Sequence, residues 1–462
     1  NDTITSYGGN DTILGGDGED QITGGAGNDS IDGGAGNDAV VLLTGQLTVN
    51  DTISGGEGID TFAYDTYTVA AENVVAAQAR ISNFEILQLG VAAAAASDVT
   101  LTNYINNTGF TQINIATQTA GLGARGYDFI NASSSLNTVS AIGAVAGTQT
   151  FDRLVDTSAD SLTVRNASTG AGAASTFTAF TALDEETITL TATVGTTAGS
   201  NDLTITTLTV ADLTTLNINS ASDVIITNAI AGSAALRTVN ATASTGAVTV
   251  NVANAGAGVT MTGNANGTAV TTFTGSAFSD VITGGGGADV LDGGRSGDTI
   301  IGGAGADTIT GNTGADRMTG GSGVDDFVVS ATSSIVTSAA SIAGTAFAAA
   351  DTLTFGNGVD VVVDFVAGAG GDTLDVVAAV AAAPTSLIGI TAAGSANYAG
   401  ITYFASGTYN ATTGAFQISA DGIGVDTLIY IGTNATAFAT ANTSAIVLLA
   451  VDSDNLVAAN FT

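Results

Sequence analysis

Aspartate recurs every nine residues in two stretches of the chain. In the first it stands at 2, 11, 20, 29 and 38, and after an insertion, VLLTGQLTV, the series resumes with Asp51 and Asp60. In the second it stands at Asp280, Asp289, Asp298, Asp307, Asp316 and Asp325. Two places after each lies an apolar residue, Ile4, Ile13, Ile22, Ile31 and Val40 in the first stretch, then Ile282, Leu291, Ile300, Ile309, Met318 and Phe327 in the second. Short carboxylates at fixed spacing suit a hard cation. Calcium takes six to eight oxygens at about 2.3–2.6 Å from carboxylates, carbonyls and water.

The residues before each aspartate support that chemistry. The hexad G-G-x-G-x-D occurs without error at 15–20, 24–29, 33–38, 55–60, 284–289, 302–307 and 320–325. Glycines at its first, second and fourth places can take positive φ and turn their carbonyls inward without a clashing Cβ. The candidate metal-site residues are Gly16, Gly18 and Asp20; Gly25, Gly27 and Asp29; Gly34, Gly36 and Asp38; Gly56, Gly58 and Asp60; Gly285, Gly287 and Asp289; Gly303, Gly305 and Asp307; and Gly321, Gly323 and Asp325. Degenerate repeats add Asp11, Asp51, Asp280, Gly294 with Asp298, and Gly314 with Asp316. Glycine turns alone could tile a metal-free solenoid, but that leaves the regular carboxylates unexplained.

These loops need strands to hold them. Three residues after each aspartate form a short strand with one side chain inward, and two hexads with two strands complete one coil. Equivalent apolar residues then stack from coil to coil in a thin core. Carboxylates 5 Å apart repel by about 3 kcal/mol at an effective dielectric near 20. Without a divalent ion such a coil is expected to be unfolded, because metal-binding free energy becomes folding free energy.

Composition narrows the classes further. The 462 residues hold 42 acidic and 7 basic groups, a formal charge of -35, which argues against nucleic acid or an anionic membrane surface as partner. Only six of the acidic residues are Glu. Charged residues make up 11% and apolar ones 45%, so the chain is not a disordered acidic tail. With no Cys there are no disulfides or thiolate metal sites, and with no His there is no imidazole for zinc or a nucleophile relay. No apolar run approaches the roughly 20 residues of a transmembrane helix; AIVLLAV at 445–451 is among the longest. The opening NDTIT reads as the second half of a repeat, so the chain is expected to be the C-terminal piece of a longer protein.

The expected architecture is all-β and elongated. It consists of a calcium-binding β-roll at 1–64, a Thr/Ala-rich domain at 65–274 that is an irregular β-solenoid or a β-sandwich, a second roll at 275–330, and a β-rich region at 331–462. FEILQLG, FTQINIA, DSLTVRN, EETITLTA and DLTITTLTV have strand length and strand period in the second of these. Asp184, Glu185 and Glu186 in LDEETI could pass for a glycosidase pair, but the expected role is a solvated turn before a strand. Neither Ser296 nor Ser322 completes G-x-S-x-G. No enzyme is expected within the chain.

The hexads and their apolar positions resemble the RTX repeats of bacterial proteins exported by type I secretion, whose nonapeptides form calcium-loaded parallel β-rolls. The resemblance covers about 1–64 and 275–329. It implies calcium ligation by the Asp20, Asp29, Asp38 and Asp60 carboxylates with their loop carbonyls, and likewise by Asp289, Asp307 and Asp325. SYGGND (6–11), GGRSGD (293–298) and GNTGAD (311–316) depart from the pattern, and a weak or empty site is expected at Arg295 and Ser296. Residues 331–462 are loosely similar to the uncleaved C-terminal export region of type I substrates. Abundant Thr, Ala, Gly, Asn and Val resembles RTX-bearing surface-layer proteins in particular. That resemblance implies a calcium-dependent lattice of the protein with itself outside the cell, and attachment to the envelope through a missing N-terminal part. The alternative is a calcium-stiffened secreted adhesin or biofilm matrix protein.

Overall fold

The computed structural model describes residues 1–67, 75–92, 97–104, 106–107, 109–116, 126–168, 174–192, 201–264, 268–329, 336–339, 352–355, 359–375, 388–389, 401–413, 415–419, 424–432, 443–451, 455–456 and 460–461. The chain divides into two compact units, Asn1–Leu236 and Arg237–Thr462. Both are built largely from parallel strands, and sequences rich in Thr, Val and Ile with glycine turns favour strands of this kind. Among the described residues no helix is long and apolar enough to cross a membrane.

In the first unit the nonapeptide period becomes a coil of 18 residues. Thr3 pairs with Gln21 and Gln21 with Ala39 on one side, and Thr12 with Ser30 on the other, all parallel. The VLLTGQLTV insertion lengthens one coil without breaking register, since Ser30 pairs with Thr52 and Ala39 with Thr61. The sides are unequal. One carries six-residue strands that run on through glycine, such as Thr12–Asp17 and Ser30–Ala35; the other carries the short strands Thr3–Thr5 and Gln21–Thr23. Ile22, Val40 and Phe62 stack with no exposure, and Ile31 and Ile53 stack on the facing side.

The same stack continues with longer coils. Thr61 pairs with Ile86, Ile86 with Gln112, Gln112 with Thr138, and Thr187 with Thr215, all parallel. A facing sheet pairs Asp128 with Thr150, Thr150 with Thr181 and Thr181 with Thr209. Parallel pairing coil after coil makes this stretch a solenoid and removes the sandwich, whose sheets are antiparallel. All five segments singled out from the sequence lie on its strands. Its coils are wide enough to bury large rings, among them Phe129, Phe151, Phe177 and Phe180.

The second unit repeats the scheme in the opposite order. Solenoid coils pair Thr238 with Thr260 and Thr260 with Val281, and from there the spacing is 18: Val281 with Thr299, Thr299 with Arg317, Val290 with Thr308, and Thr308 with Asp326. One further coil follows, because Arg317 pairs with Val361 and Asp326 with Thr373. The pairing then turns antiparallel among Ile401–Asn410, Ala415–Ile418, Asp426–Gly432 and Thr443–Leu448. Much of 331–462, including most of the stretch read as an export region, lies outside the described residues. AIVLLAV falls on the strand Thr443–Leu448 and the turn after it.

Candidate metal centres

From the second coil of the first roll onward, each loop aspartate is held by the coil before it. The backbone N–H of Asp20 donates to Asp38 Oδ1 at 2.9 Å, and that of Asp38 to Asp60 Oδ1 at 2.8 Å. On the other edge Asp11 N–H donates to Asp29 Oδ1 and Asp29 N–H to Asp51 Oδ1. In the second roll Asp280, Asp289, Asp298 and Asp307 donate in the same way to Asp298, Asp307, Asp316 and Asp325, at 2.8–2.9 Å. The nine-residue period thus places two columns of carboxylates on each roll, one along each edge. Asp20, Asp29, Asp38, Asp51, Asp60, Asp280, Asp289, Asp298, Asp307, Asp316 and Asp325 are all buried.

Such a carboxylate has spent only one oxygen. Oδ2 of Asp20, Asp38, Asp60, Asp289, Asp298, Asp307 and Asp316 is buried and has no hydrogen-bond partner. A buried acceptor with no donor costs its full desolvation penalty, on the order of 1–3 kcal/mol and more when charged. What it lacks is a positive charge. Among the described residues no three carboxylates converge. A cation would therefore draw on at most two of these carboxylates, with the remaining oxygens supplied by loop carbonyls.

The glycines leave room for that arrangement. A Cβ on Gly33, first in its hexad, would stand 2.7 Å from Asp38 Oδ2 and against the Gly55 carbonyl of the next coil. The first-place glycines do not take positive φ, contrary to the expectation from the hexad; their role is to leave space beside the carboxylate. Gly34 at the second place does take it, with φ 109°, and the Gly16 carbonyl lies where its Cβ would be. Of the candidate second- and fourth-place glycines, Gly16, Gly18, Gly25, Gly27, Gly36, Gly56, Gly58, Gly285, Gly294, Gly303, Gly305, Gly314, Gly321 and Gly323 have φ of 89–155°, and Gly287 alone does not.

Two of the departing hexads, 293–298 and 311–316, keep this geometry. Ser296 fills the fourth place of 293–298 with φ 72°, and Asn312 the second place of 311–316 with φ 66°. Asn312 Nδ2 also donates to Asp292 Oδ1 at 2.5 Å. The Arg295 loop therefore retains the same turn, the space at Gly293 and the unpartnered Asp298 oxygen.

Burial is the main force on these acids. It pushes Asp298 up from 3.8 to about 8 and Asp289 to about 7, with carboxylates of neighbouring coils adding less. Asp316 and Asp325 are raised to about 6, again chiefly by burial, and Asp60, Asp280 and Asp307 are raised as well. Desolvation, more than mutual repulsion, is what a cation has to offset.

Three candidates differ. Asp11 Oδ2 accepts the Ser6 hydroxyl, Asp51 Oδ2 the Thr48 N–H at 2.5 Å, and Asp280 Oδ2 the Ser276 N–H at 2.6 Å. Two aspartates outside the candidate set join the columns: Asp316 N–H donates to Asp360 Oδ1, and Asp325 N–H to Asp372 Oδ1. Their hexads, FGNGVD and AGAGGD, lack the first-place glycine but keep those at the second and fourth places, and Gly368 and Gly370 have φ 106° and 83°. Those two places are the signal that a search for the full glycine pattern misses.

LDEETI is not a solvated turn. Glu185 is fully buried and paired with the buried Arg153, whose Nε lies 2.6 Å from its Oε1. The Arg153 guanidinium also donates to the Ser133, Leu136 and Ser161 carbonyls. The buried Arg153 guanidinium turns this run of acids into an internal clamp.

Residues 5–40, 50–62, 267–300 and 293–327 match the RTX calcium-binding nonapeptide repeat, in four copies. A comparison with curated proteins found none similar to the chain. The repeats are calcium-binding, and the chain carries several, so its metal is Ca2+ at more than one site. The match stops short of Asp360 and Asp372.

Proposed function

We propose that this is a structural protein of a bacterial surface, exported by a type I system, folded by calcium and assembled with copies of itself into a two-dimensional lattice. The observation that carries the reading is the column of buried carboxylate oxygens without partners, because it ties the stacking of coils to a divalent ion. Calcium would be held by Asp20, Asp29, Asp38 and Asp60 and by Asp289, Asp298, Asp307, Asp316 and Asp325, with carbonyls of their loops. Bound calcium neutralises these carboxylates and joins consecutive loops. Calcium-poor conditions inside the cell keep the rolls open for export, and calcium outside closes them.

The surface chemistry supports self-assembly in the same place. At a formal charge of -35, copies repel one another until divalent ions screen and bridge their faces. A structural role is favoured over catalysis because the chain has no His or Cys, and its most enzyme-like acidic run is tied up by Arg153. The experiment is direct: the purified chain in millimolar calcium should form regular sheets in negative-stain micrographs, and chelator should dissolve them. Monomers at every calcium concentration would refute the lattice and leave calcium-driven folding standing.

A further inference from the structure

The aspartate columns of the rolls do not end where the nonapeptides end; they continue into the solenoid with other residue types. Asp60 N–H donates to Glu85 Oε2, and Asp160 N–H to Glu186 Oε2. On the facing edge Tyr127 N–H donates to Gln149 Oε1, and Gly143 N–H to Ser175 Oγ. The job is unchanged. A side chain just before or within a strand caps a backbone N–H of the coil before it.

What changes is the second half of each capping group. A carboxylate offers two acceptors and no donor, so capping one N–H leaves an oxygen that needs a positive partner. An amide brings its own. Asn107 Oδ1 accepts the Phe84 N–H at 2.7 Å while its Nδ2 donates to the Phe84 carbonyl at 2.9 Å. Gln149 likewise donates from Nε2 to the Ala146 carbonyl at 2.9 Å. Where the solenoid keeps an aspartate, the loop closes it: Asp160 Oδ2 accepts the Thr157 N–H and Oδ1 the Thr157 hydroxyl. Among the described residues no buried carboxylate oxygen between Asp60 and Asp289 lacks a partner.

The same closure occurs inside the nonapeptide series. Ser276 gives Asp280 both its N–H and its hydroxyl, and Thr48 gives Asp51 its N–H, where Asp298 and Asp38 receive nothing at Oδ2. Neither donor is a glycine in the left-handed conformation. A protein donor thus stands at each of these aspartates in the role the cation has elsewhere.

We propose that the calcium requirement is confined to the loops whose carboxylate oxygen is unpartnered, and that the donor-closed loops at Asp51 and Asp280 and the solenoid coils of both units hold without calcium. The proposal rests on calcium being the ion of the nonapeptide loops, but not on lattice assembly. In chelator each unit then keeps a folded solenoid stretch from which its roll winds up when calcium arrives.

Hydrogen–deuterium exchange of the full chain, read by mass spectrometry at pH 8 in calcium and in excess chelator, tests the division. In chelator the amides of 12–35 and 281–328 should exchange as in an unfolded chain. Those of 128–166 and 203–252 should stay at least about tenfold slower than these and close to their rate in calcium. Loss of protection at 128–252 together with the rolls overturns the proposal, as does protection of the rolls in chelator. Calcium counting by equilibrium dialysis at saturation gives a second reading. Asp51→Asn and Asp280→Asn should bind as many ions as the parent, and Asp38→Asn and Asp298→Asn fewer. An ion lost in Asp280→Asn or Asp51→Asn would overturn it. Sheets in the micrographs are neither required nor excluded by any of these outcomes.

Discussion

Acid should substitute for calcium in the second roll. Burial holds Asp298 at about 8 and Asp289 at about 7, against an ordinary value of 3.8. Without metal, the folded roll therefore binds more protons than the unfolded chain at every pH between these limits. Its stability is fully present below pH 3.8 and is lost as pH rises through 6, 7 and 8, the folded values of Asp316 and Asp325, Asp289, and Asp298. The gap from 3.8 to about 8 corresponds to about 6 kcal/mol for Asp298, and that from 3.8 to about 7 to about 4 kcal/mol for Asp289. Together these match the whole stability of a small domain, roughly 5–15 kcal/mol. The assay is exchange protection of 281–328 in chelator, corrected for the intrinsic rate at each pH. Protection should be absent at pH 8, appear near pH 6 and be strong at pH 5. With calcium the sign reverses, since protons compete for the same oxygens, and the calcium midpoint should rise as pH falls below 8. A metal-free roll no better protected at pH 5 than at pH 8 would refute the claim that burial of charge is what keeps it unfolded.

Two substitutions separate the machinery of the rolls from that of the solenoid. Gly33→Ala puts a Cβ against the Gly55 carbonyl of the next coil and 2.7 Å from Asp38 Oδ2, so the coil contact and the carboxylate must both move. The loss of one charge-assisted contact, about 1.5–3 kcal/mol, should raise the calcium midpoint of the first roll roughly ten- to a hundredfold and leave the second roll unchanged in exchange experiments. Arg153→Ala strands the buried Glu185 and frees three carbonyls. It should destabilise the solenoid by about 3–5 kcal/mol, seen as a lower Tm in calcium and chelator alike. A Tm loss seen only in calcium would assign Arg153 to the calcium-dependent part instead.

Period was the most legible property of this chain, because a β-roll converts sequence spacing directly into stacking. Two nonapeptides make a coil, so Ile22 must meet Val40 and Ile282 must meet Ile300 whatever else varies. The solenoid was readable as strands, and its coils as one of two readings beside the sandwich, since its strands repeat at irregular intervals and strand period alone does not tell parallel from antiparallel pairing. The fate of individual polar groups was less legible still. Glu185 looked solvated because its guanidinium partner lies 32 residues away in sequence. Asp51 and Asp280 looked like Asp38 and Asp298 because the spacing records the column and not the donor that closes the loop.

Conformation and chemistry place separate demands on each hexad, and residue identity reports the two unequally. Second and fourth places ask for positive φ, and at most of them a carbonyl of the coil before also lies where a Cβ would be; Ser296 and Asn312 still meet the conformation at a cost of order 1–2 kcal/mol, so substitution there weakens the motif in sequence more than in structure. The first place asks for empty space beside a carboxylate, and no side chain can supply it. Asp360 and Asp372 stay in the columns although neither hexad has the leading glycine pair, and Asp372 has its Oδ2 closed by the Val366 N–H at 2.8 Å. Where the leading glycine is lost in these loops, a protein donor takes over the carboxylate at Asp11, Asp51 and Asp372; Asp280 keeps Gly275 at the first place and loses the second-place glycine to Ser276. The glycine pair therefore marks a loop left open for an ion more faithfully than the aspartate does.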